Sequence, residues 1–222
     1  MAKVRVWDLP IRLFHWALAI LIATSIITQK IGGNAMEWHF LSGYAVLALV
    51  AFRIVWGLVG TRYARFSDFI YAPSTIAAYL LGAKNSLKGK YHGHNPLGSL
   101  SVFALLGVIL AQALSGLFAN DDIASEGPLV KFISKEFSDR ITWFHVEVSA
   151  NLIYALVGLH IAAVAYYYFR KKQNLVKPMI TGDKDIGGDA PAVNDSWAIR
   201  LLAAAIFAAC AVSVYCLVNL KP

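Results

Sequence analysis

Residues 142–169 read TWFHVEVSANLIYALVGLHIAAVAYYYF and are long and apolar enough to form one membrane-spanning helix. A span needs about 20 mainly apolar residues, and this run contains one acid, Glu147, and no basic residue. It also contains His145 near its start and His160 near its end. Ionisable side chains are costly inside a membrane, so both histidines are candidate functional residues.

Four more runs of this kind occupy residues 11–28, 38–59, 97–119 and 197–218. The whole chain is 58% hydrophobic and 15% charged, whereas a soluble domain has about 25% charged residues. The first run contains His15 and Trp16, so we expect a retained span rather than a cleaved signal sequence. The sequence therefore predicts an all-α membrane protein with five transmembrane helices.

The net charge of +7 is explained by basic residues concentrated on one side of the membrane, so it does not require a nucleic-acid partner. Alternate loops put thirteen Lys and Arg residues on one side of the membrane and five on the other. Basic residues are enriched on the cytoplasmic side, which predicts a cytoplasmic N-terminus and a C-terminus outside. The larger set is Lys3, Arg5, Arg12, Arg62, Arg65, Lys84, Lys88, Lys90, Arg170, Lys171, Lys172, Lys177 and Lys184.

The composition of three connecting segments predicts a structure for each of them. Residues 73–83 are apolar but too short to span, which predicts a helix lying on the cytoplasmic face. Residues 120–140 form an acidic outer loop with an amphipathic piece at 129–137. Residues 181–196 are rich in glycine, including Gly187 and Gly188, and we expect a flexible linker there.

Four histidines lie in or at the ends of spans, and their depths sort them into two pairs. With the N-terminus inside, His15 and His160 lie near the inner face, and His39 and His145 lie near the outer face. The fifteen residues from His145 to His160 span about 22 Å and leave a net rotation of about 60°, so the two rings face similar directions. We name His15 with His160 the inner pair and His39 with His145 the outer pair.

Two stacked pairs of facing histidines fit two six-coordinate haems, each iron taking one imidazole from either side. Zinc usually needs three or four ligands close together, and a di-iron site needs glutamates on several spans. The cysteines, Cys210 and Cys216, form no C-x-x-C-H motif, so covalently attached c-type haem is excluded. The pattern predicts two non-covalent haem groups, each held by two histidines.

Other residues on the same helix faces are candidates for contact with a haem. Gly43, four residues after His39, leaves room for a flat ring, although ordinary close helix packing explains it equally well. Arg53 shares the face of His39 one layer deeper, where it could bind a propionate of the inner haem or snorkel to the interface. Arg12, one turn before His15, could do the same or bind a lipid phosphate.

The sequence resembles the bacterial cytochrome b561 family, which includes the cytochrome b subunits of nickel–iron hydrogenases. The resemblance covers roughly residues 4–184. It rests on the following motifs: VWDLPIRLFHW at residues 6–16, His39-x-x-x-Gly43, Gly93-His94-Asn95-Pro96, Trp143-Phe144-His145, Gly158-Leu159-His160 and Met179-Ile180-Thr181-Gly182. It implies haem b ligation by the four histidines. We expect residues 1–184 to form a four-helix di-haem domain, with the linker and fifth helix in residues 185–222.

The resemblance also implies electron transfer between membrane quinone and a partner redox protein in a bacterial cytoplasmic membrane. We expect the partner to be a c-type cytochrome or a hydrogenase-like oxidoreductase. The alternative is a stand-alone enzyme that oxidises superoxide outside and reduces quinone inside. A superoxide enzyme would need a positive outer surface, whereas the loop 120–140 is net acidic, which favours a protein partner.

Quinone binding needs hydrogen-bond partners for the carbonyl oxygens and a titratable group close to water. His94 and Asn95, just before the third span, meet this description at the cytoplasmic face. The competing interpretation is a helix-capping loop, with Asn95 as N-cap and His94 at the surface. Trp7 and Asp8 are weaker candidates for the same pocket, and His92 is expected to be a loop residue.

Overall fold

The computed structural model describes residues 2–81, 91–123, 125–186 and 190–221, and within these ranges it is helical apart from two short strands. Five helices are long and apolar enough to cross a membrane, which confirms the predicted fold class. The elements are β1 (Ala2–Arg5), α1 (Leu9–Ile31), α2 (Met36–Val59), α3 (Pro73–Leu80), α4 (Pro96–Gly116), α5 (Lys135–Trp143), a π-helical turn (Phe144–Ser149), α6 (Ala150–Phe169), α7 (Val176–Thr181), β2 (Asp183–Ile186) and α8 (Trp197–Val218). The segment from α5 through the π turn to α6 forms one continuous span.

Capping side chains fix where the spans begin. The Asp8 carboxylate accepts a hydrogen bond from the Ile11 amide at 2.7 Å, and Pro10 occupies the first turn of α1. The Asn95 side chain accepts from the Gly98 amide at 2.8 Å, and Pro96 begins α4. Such caps satisfy amides that have no partner inside the helix, and proline is tolerated there because its missing N–H is not needed.

The strands β1 and β2 pair antiparallel, with Arg5 opposite Asp183, and so hold the N-terminus against the segment after α6. Gly182, directly before β2, has a φ of 87°, and a Cβ there would lie 2.7 Å from the Trp7 carbonyl oxygen. Glycine is therefore required at this position. Its carbonyl accepts from the Val6 and Trp7 amides. We call the end of the bundle that carries β1 and β2 the inner end, and the opposite end the outer end.

Helix α2 lies at the centre of the bundle and packs on α1, α4 and α8. Its Phe52 and Trp56 are buried in one cluster with Ala203 of α8, and its Leu47 packs with Val214 of α8. Helix α4 in turn packs on α6. Among the described residues, α1 and α6 do not pack closely on each other, although these two helices carry the inner pair. The bundle is therefore wider between the helices that present facing histidines.

The connecting segments differ from their sequence-based predictions. The amphipathic piece expected at 129–137 contains a short helical turn at Val130–Phe132 and the beginning of α5, which Ser134 caps. Helix α5 then continues into the fourth span. The predicted surface helix at 73–83 ends at Leu80 as α3. The expected flexible linker at 181–196 contains β2, which pairs with a strand too remote in sequence to leave a local signal. Lys84, Lys88, Lys90, Gly187 and Gly188 lie outside the described residues.

Candidate functional site

The structure places His15 beside His160 and His39 beside His145, the same two pairs that depth in the membrane predicts. The imidazole centroids are 6.3 Å apart in each pair. The planes of the rings are inclined by 52° in the inner pair and by 87° in the outer pair. The two members of each pair come from helices far apart in sequence, so the bundle brings together what no local motif connects.

This separation fits a haem iron between the rings. An iron bound on both faces by imidazole nitrogens at about 2 Å holds the two ring centroids roughly 6 Å apart. Both pairs match that spacing. A Cβ added to Gly43 or Gly158, each on a histidine-bearing helix, would meet no atom within 4 Å, so open space remains beside both. The donor set and this space fit two haem groups.

Hydrogen bonds orient both rings of the outer pair. His39 Nδ1 lies 2.9 Å from the Ser25 carbonyl oxygen and 3.2 Å from its hydroxyl. His145 Nδ1 lies 3.0 Å from the Gln112 carbonyl oxygen and 3.0 Å from the Ser115 hydroxyl. Because a carbonyl oxygen only accepts, each Nδ1 carries the proton and each Nε2 keeps its lone pair. Both rings therefore have the tautomer that a metal ligand needs at Nε2.

The π turn at Phe144–Ser149 carries His145. A π turn makes i to i+5 hydrogen bonds, so the regular α-helical rotation assumed for the fourth span does not hold across it. Ser149 closes the turn, since its hydroxyl bonds the Gln112 side-chain oxygen and the Phe144 carbonyl oxygen. Such turns are frequent at functional sites, and this one packs His145 against α4.

The inner pair has fewer hydrogen bonds than the outer pair. His15 Nδ1 is buried and has no hydrogen-bond partner among the described residues. Arg53, 4% exposed, lies near this end, with its guanidinium carbon 4.6 Å from the Phe66 ring centroid and one terminal nitrogen unpaired. A buried guanidinium with a free donor fits an anion such as a propionate better than a snorkelling side chain.

Arg12 is held mainly by the protein itself. One terminal nitrogen donates to the Ile180 carbonyl oxygen at 2.5 Å, and the other lies 4.0 Å from Asp195. Its Nε is buried without a partner in the described part of the chain. These contacts make Arg12 a link from α1 to α7 and to the segment before α8, with one donor left for a further acceptor.

His94 lies in an aromatic pocket at the inner end. Its ring centroid is 4.8 Å from that of Trp7 and 4.5 Å from that of Phe69. Burial, together with the positive charges of Arg53 and Lys184, lowers the pKa of His94 to about 3. A pKa this low argues against the expectation that His94 exchanges protons near neutral pH, and it arises from packing that the sequence does not reveal. Its buried Nδ1 has no partner among the described residues.

Asn95 caps α4, as the competing interpretation of this motif required. Its amide nitrogen donates to the Tyr167 hydroxyl at 2.8 Å, so both ends of the side chain are engaged within the protein. The His94 carbonyl oxygen accepts from the Tyr71 hydroxyl at 2.8 Å. These bonds tie the loop before α4 to α6 and hold the His94 ring in its pocket.

Asp8 is a buried structural carboxylate. Besides the Ile11 amide, it accepts from Trp56 Nε1 at 3.1 Å and from the Thr61 hydroxyl at 2.5 Å. Burial raises the pKa of Asp8 above its usual value, although the hydrogen bonds from Thr61, the Ile11 amide and Trp56 oppose that shift. The carboxylate joins the start of α1 to the end of α2.

Sequence reasoning missed the residues that hold the outer histidines, namely Ser25, Gln112, Ser115 and Ser149. A signal existed for Gln112, because a glutamine within an apolar span is unusual and needs a partner. The serines gave no such signal, since helical serine commonly bonds its own backbone.

Comparisons with known proteins show which family the sequence matches. A family model described as prokaryotic cytochrome b561 matches residues 6–182, which include both histidine pairs. The chain is similar to proteins named probable Ni/Fe-hydrogenase B-type cytochrome subunit: it is 24% identical to that of Azotobacter chroococcum mcd 1 and 25% identical to that of Azotobacter vinelandii, each over 85% of this chain and 91% of the relative. Its identity to the Rhodobacter capsulatus protein of that name is 24%, over 84% of this chain and 83% of the relative. No solved structure matches the chain.

Proposed function

The chain belongs to the prokaryotic cytochrome b561 family, and we propose that it passes electrons between membrane quinone and a partner redox protein. Family membership makes it a multi-pass membrane electron carrier of the cytochrome b type, and the family implies haem b. We further propose which residues bind the haem groups, where quinone binds and what kind of protein the partner is.

The histidine pairs would hold the two haem groups, with His15 and His160 at one and His39 and His145 at the other. The observation that carries this assignment is the 6.3 Å centroid separation in both pairs. Haem b, when bound, supplies one-electron redox chemistry. The protein would hold each haem with two imidazoles and would surround it with mainly apolar helices.

Three further residues would contact the haem groups. Arg53 and Arg12 each have a buried donor nitrogen without a partner among the described residues, and each could hold a propionate at the inner end. Gly43 leaves open space next to the helix that carries His39. These roles use two arginine nitrogens that have no hydrogen-bond partner among the described residues and the open space beside Gly43.

The quinone site would lie at the inner end, where His94 faces aromatic rings suited to a flat apolar ligand. Its unpaired Nδ1 could bond a quinone carbonyl. Since His94 stays neutral, it would orient the quinone, and the proton would come from water at this end. Asn95 would act by holding His94 in place rather than by touching the ligand.

The partner would bind at the outer end. The relatives are named as hydrogenase subunits, so a hydrogenase-like oxidoreductase or a c-type cytochrome is the expected class. The basic residues of the outer loop are engaged: Lys135 with Asp122 and Asp139, Arg140 with Glu136, and Lys131 with the Leu220 carbonyl oxygen. Engaged cations steer a small anion weakly, which favours a protein partner over superoxide.

The test is the haem content of single-histidine variants of the purified protein. His15→Ala and His160→Ala should lose the same haem, and His39→Ala and His145→Ala should lose the other. His92→Ala, outside both pairs, is the matched control and should retain two haems. Loss of one and the same haem from His15→Ala and His39→Ala would refute the pairing.

The quinone site has its own test. His94→Ala should keep both haems and lose most quinone-linked turnover, whereas His92→Ala should keep both properties. If His94→Ala retains full turnover with both haems present, His94 has no part in quinone binding.

A further inference from the structure

We propose that Ser25, Gln112 and Ser115 give the haem held by the outer pair a lower reduction potential than the haem held by the inner pair. This inference rests on the proposed haem ligands. These three residues act through the histidines, so they are positioning residues. The proposal concerns a property that the haem ligands by themselves do not determine, because both sites have the same two imidazoles.

The outer histidines donate strong hydrogen bonds from Nδ1. The acceptors of His39 are the Ser25 carbonyl oxygen at 2.9 Å and the Ser25 hydroxyl at 3.2 Å. The acceptors of His145 are the Gln112 carbonyl oxygen and the Ser115 hydroxyl, both at 3.0 Å. Gln112 Nε2, a donor only, lies 3.0 Å from His145 Nε2, so the lone pair that would bind iron is engaged by this amide in the structure.

The inner histidines lack such acceptors. His15 Nδ1 is buried without a partner among the described residues, and the same residues offer the His160 ring no hydrogen bond. The two ends of the bundle also differ in charge, because the buried guanidinium of Arg53 lies at the inner end, against Phe66. The two sites thus share a ligand set and differ in what surrounds it.

A hydrogen bond from Nδ1 makes an imidazole a more basic ligand. A more basic ligand stabilises the more positively charged ferric iron and lowers the reduction potential, and a nearby cation has the opposite effect. Both differences therefore lower the outer potential relative to the inner one. Because electrons pass spontaneously toward the higher potential, the arrangement favours flow from the outer pair to the inner pair and on toward the His94 pocket.

The test is a spectroscopic redox titration of the full-length protein in detergent. The single-haem protein His15→Ala should titrate at a lower potential than the single-haem protein His39→Ala. In the two-haem protein, Ser115→Ala and Ser25→Ala each remove one hydroxyl acceptor and should raise the lower potential while leaving the higher one unchanged. Ser213→Ala, whose hydroxyl bonds the Ala209 carbonyl oxygen on α8 and touches no histidine, is the matched control and should change neither.

The outcomes separate this inference from the proposed function. Haem content and spectra decide the ligand assignment, and if that assignment fails, this inference falls with it. If each single-haem variant keeps the expected haem but the order of potentials is equal or reversed, only the potential difference is wrong. If a histidine variant loses both haems, the reduction potentials of the Ser115→Ala protein test the proposal instead. If neither of its two potentials differs from that of the unsubstituted protein, the proposal is overturned.

Discussion

At the residue scale, buried polar groups at the inner end differ in whether the protein satisfies them. Asp8 is 1% exposed and accepts three hydrogen bonds from the ends of α1 and α2. Arg53 is buried and His94 is partly buried, yet each retains a buried nitrogen without a partner among the described residues. Unsatisfied buried donors are costly, so such atoms mark where a ligand completes the site.

Arg53→Gln should lower the potential of the haem held by the inner pair and change that of the outer haem much less. The physical reason is the loss of a buried positive charge that favours the reduced, less positive iron. Arg62→Gln is the control, because Arg62 lies at the same end but is exposed and paired with Asp68. Redox titration measures both potentials, and an unchanged inner potential would rule out a propionate role for Arg53.

His94 should make the protein less stable as the pH falls below 6.5. The pKa of His94 is lowered from 6.5 to about 3 in the folded state, so between these values the unfolded chain binds a proton that the folded chain does not. The stability change approaches about 1.4 kcal/mol per pH unit in that range. Thermal unfolding in detergent from pH 7.5 to 4.5 should show the decline.

The matched variants separate His94 from other titrating groups. His94→Gln should flatten the pH dependence below pH 6.5, whereas His92→Gln, two residues away and outside the aromatic pocket, should leave it intact. An equally steep decline in His94→Gln would assign the effect to another group.

At the element scale, the segment before α8 is fixed by Asp195, whose side chain is 5% exposed. It accepts from Arg5 at 2.9 Å, from Arg200 at 3.1 Å and from the Leu9 amide at 3.2 Å. Burial alone would raise the pKa of Asp195, but the hydrogen bonds from Arg200, the Leu9 amide and Arg5 outweigh it and hold the pKa below its usual value. One carboxylate thus joins β1, α1 and α8.

Asp195→Ala should destabilise the protein by about 2 kcal/mol, because it leaves two arginines without their shared partner. Asp185→Ala is the matched control, because Asp185 is the exposed residue of β2, and a change within about 0.5 kcal/mol is expected there. Unfolding by denaturant in detergent measures both. Equal stabilities for the two variants would show that the Asp195 contacts do not hold the elements together.

At the scale of the whole molecule, the described residues form five helices that could cross a membrane, and five crossings would put residues 2 and 221 on opposite sides. Strand pairing puts β1 and β2 at the same end, and the contact of Trp7 with His94 adds the loop before α4 to that end. Three residues of the larger basic set lie at this end: Lys3 and Arg5 on β1, and Lys184 on β2. This is the distribution that the charge asymmetry predicts for a cytoplasmic face.

Reporter fusions should place the N-terminus in the cytoplasm and the C-terminus on the outer side. A reporter active only outside the cytoplasm should work after residue 221 and after residue 123, and should fail after residue 174, between α6 and α7. If the same reporter is active at both ends of the chain, the two ends lie on the same side of the membrane, which contradicts five spans.

Sequence alone predicted five spans and the depth of each histidine, although it began the fourth span at residue 142 and the structure begins that helical segment at Lys135. Both follow from local properties, since apolar length sets where the chain crosses and residue number along a helix sets depth. That is why the pairs His15 with His160 and His39 with His145 could be predicted from position along the chain. The same helical arithmetic put Arg53 on the face of His39 one layer deeper, and that placement stays a prediction.

Only the tertiary structure decided what surrounds those residues. The contacts of Ser25 with His39, of Gln112 with His145 and of Asp195 with Arg5 join segments whose mutual rotation no local pattern specifies. The burial of His94, and hence its neutrality, arises from rings on other segments. Apolar periodicity sets which residues enter the membrane, whereas side-chain partners depend on how the helices cross and turn relative to one another, and that is fixed only when all of them pack together.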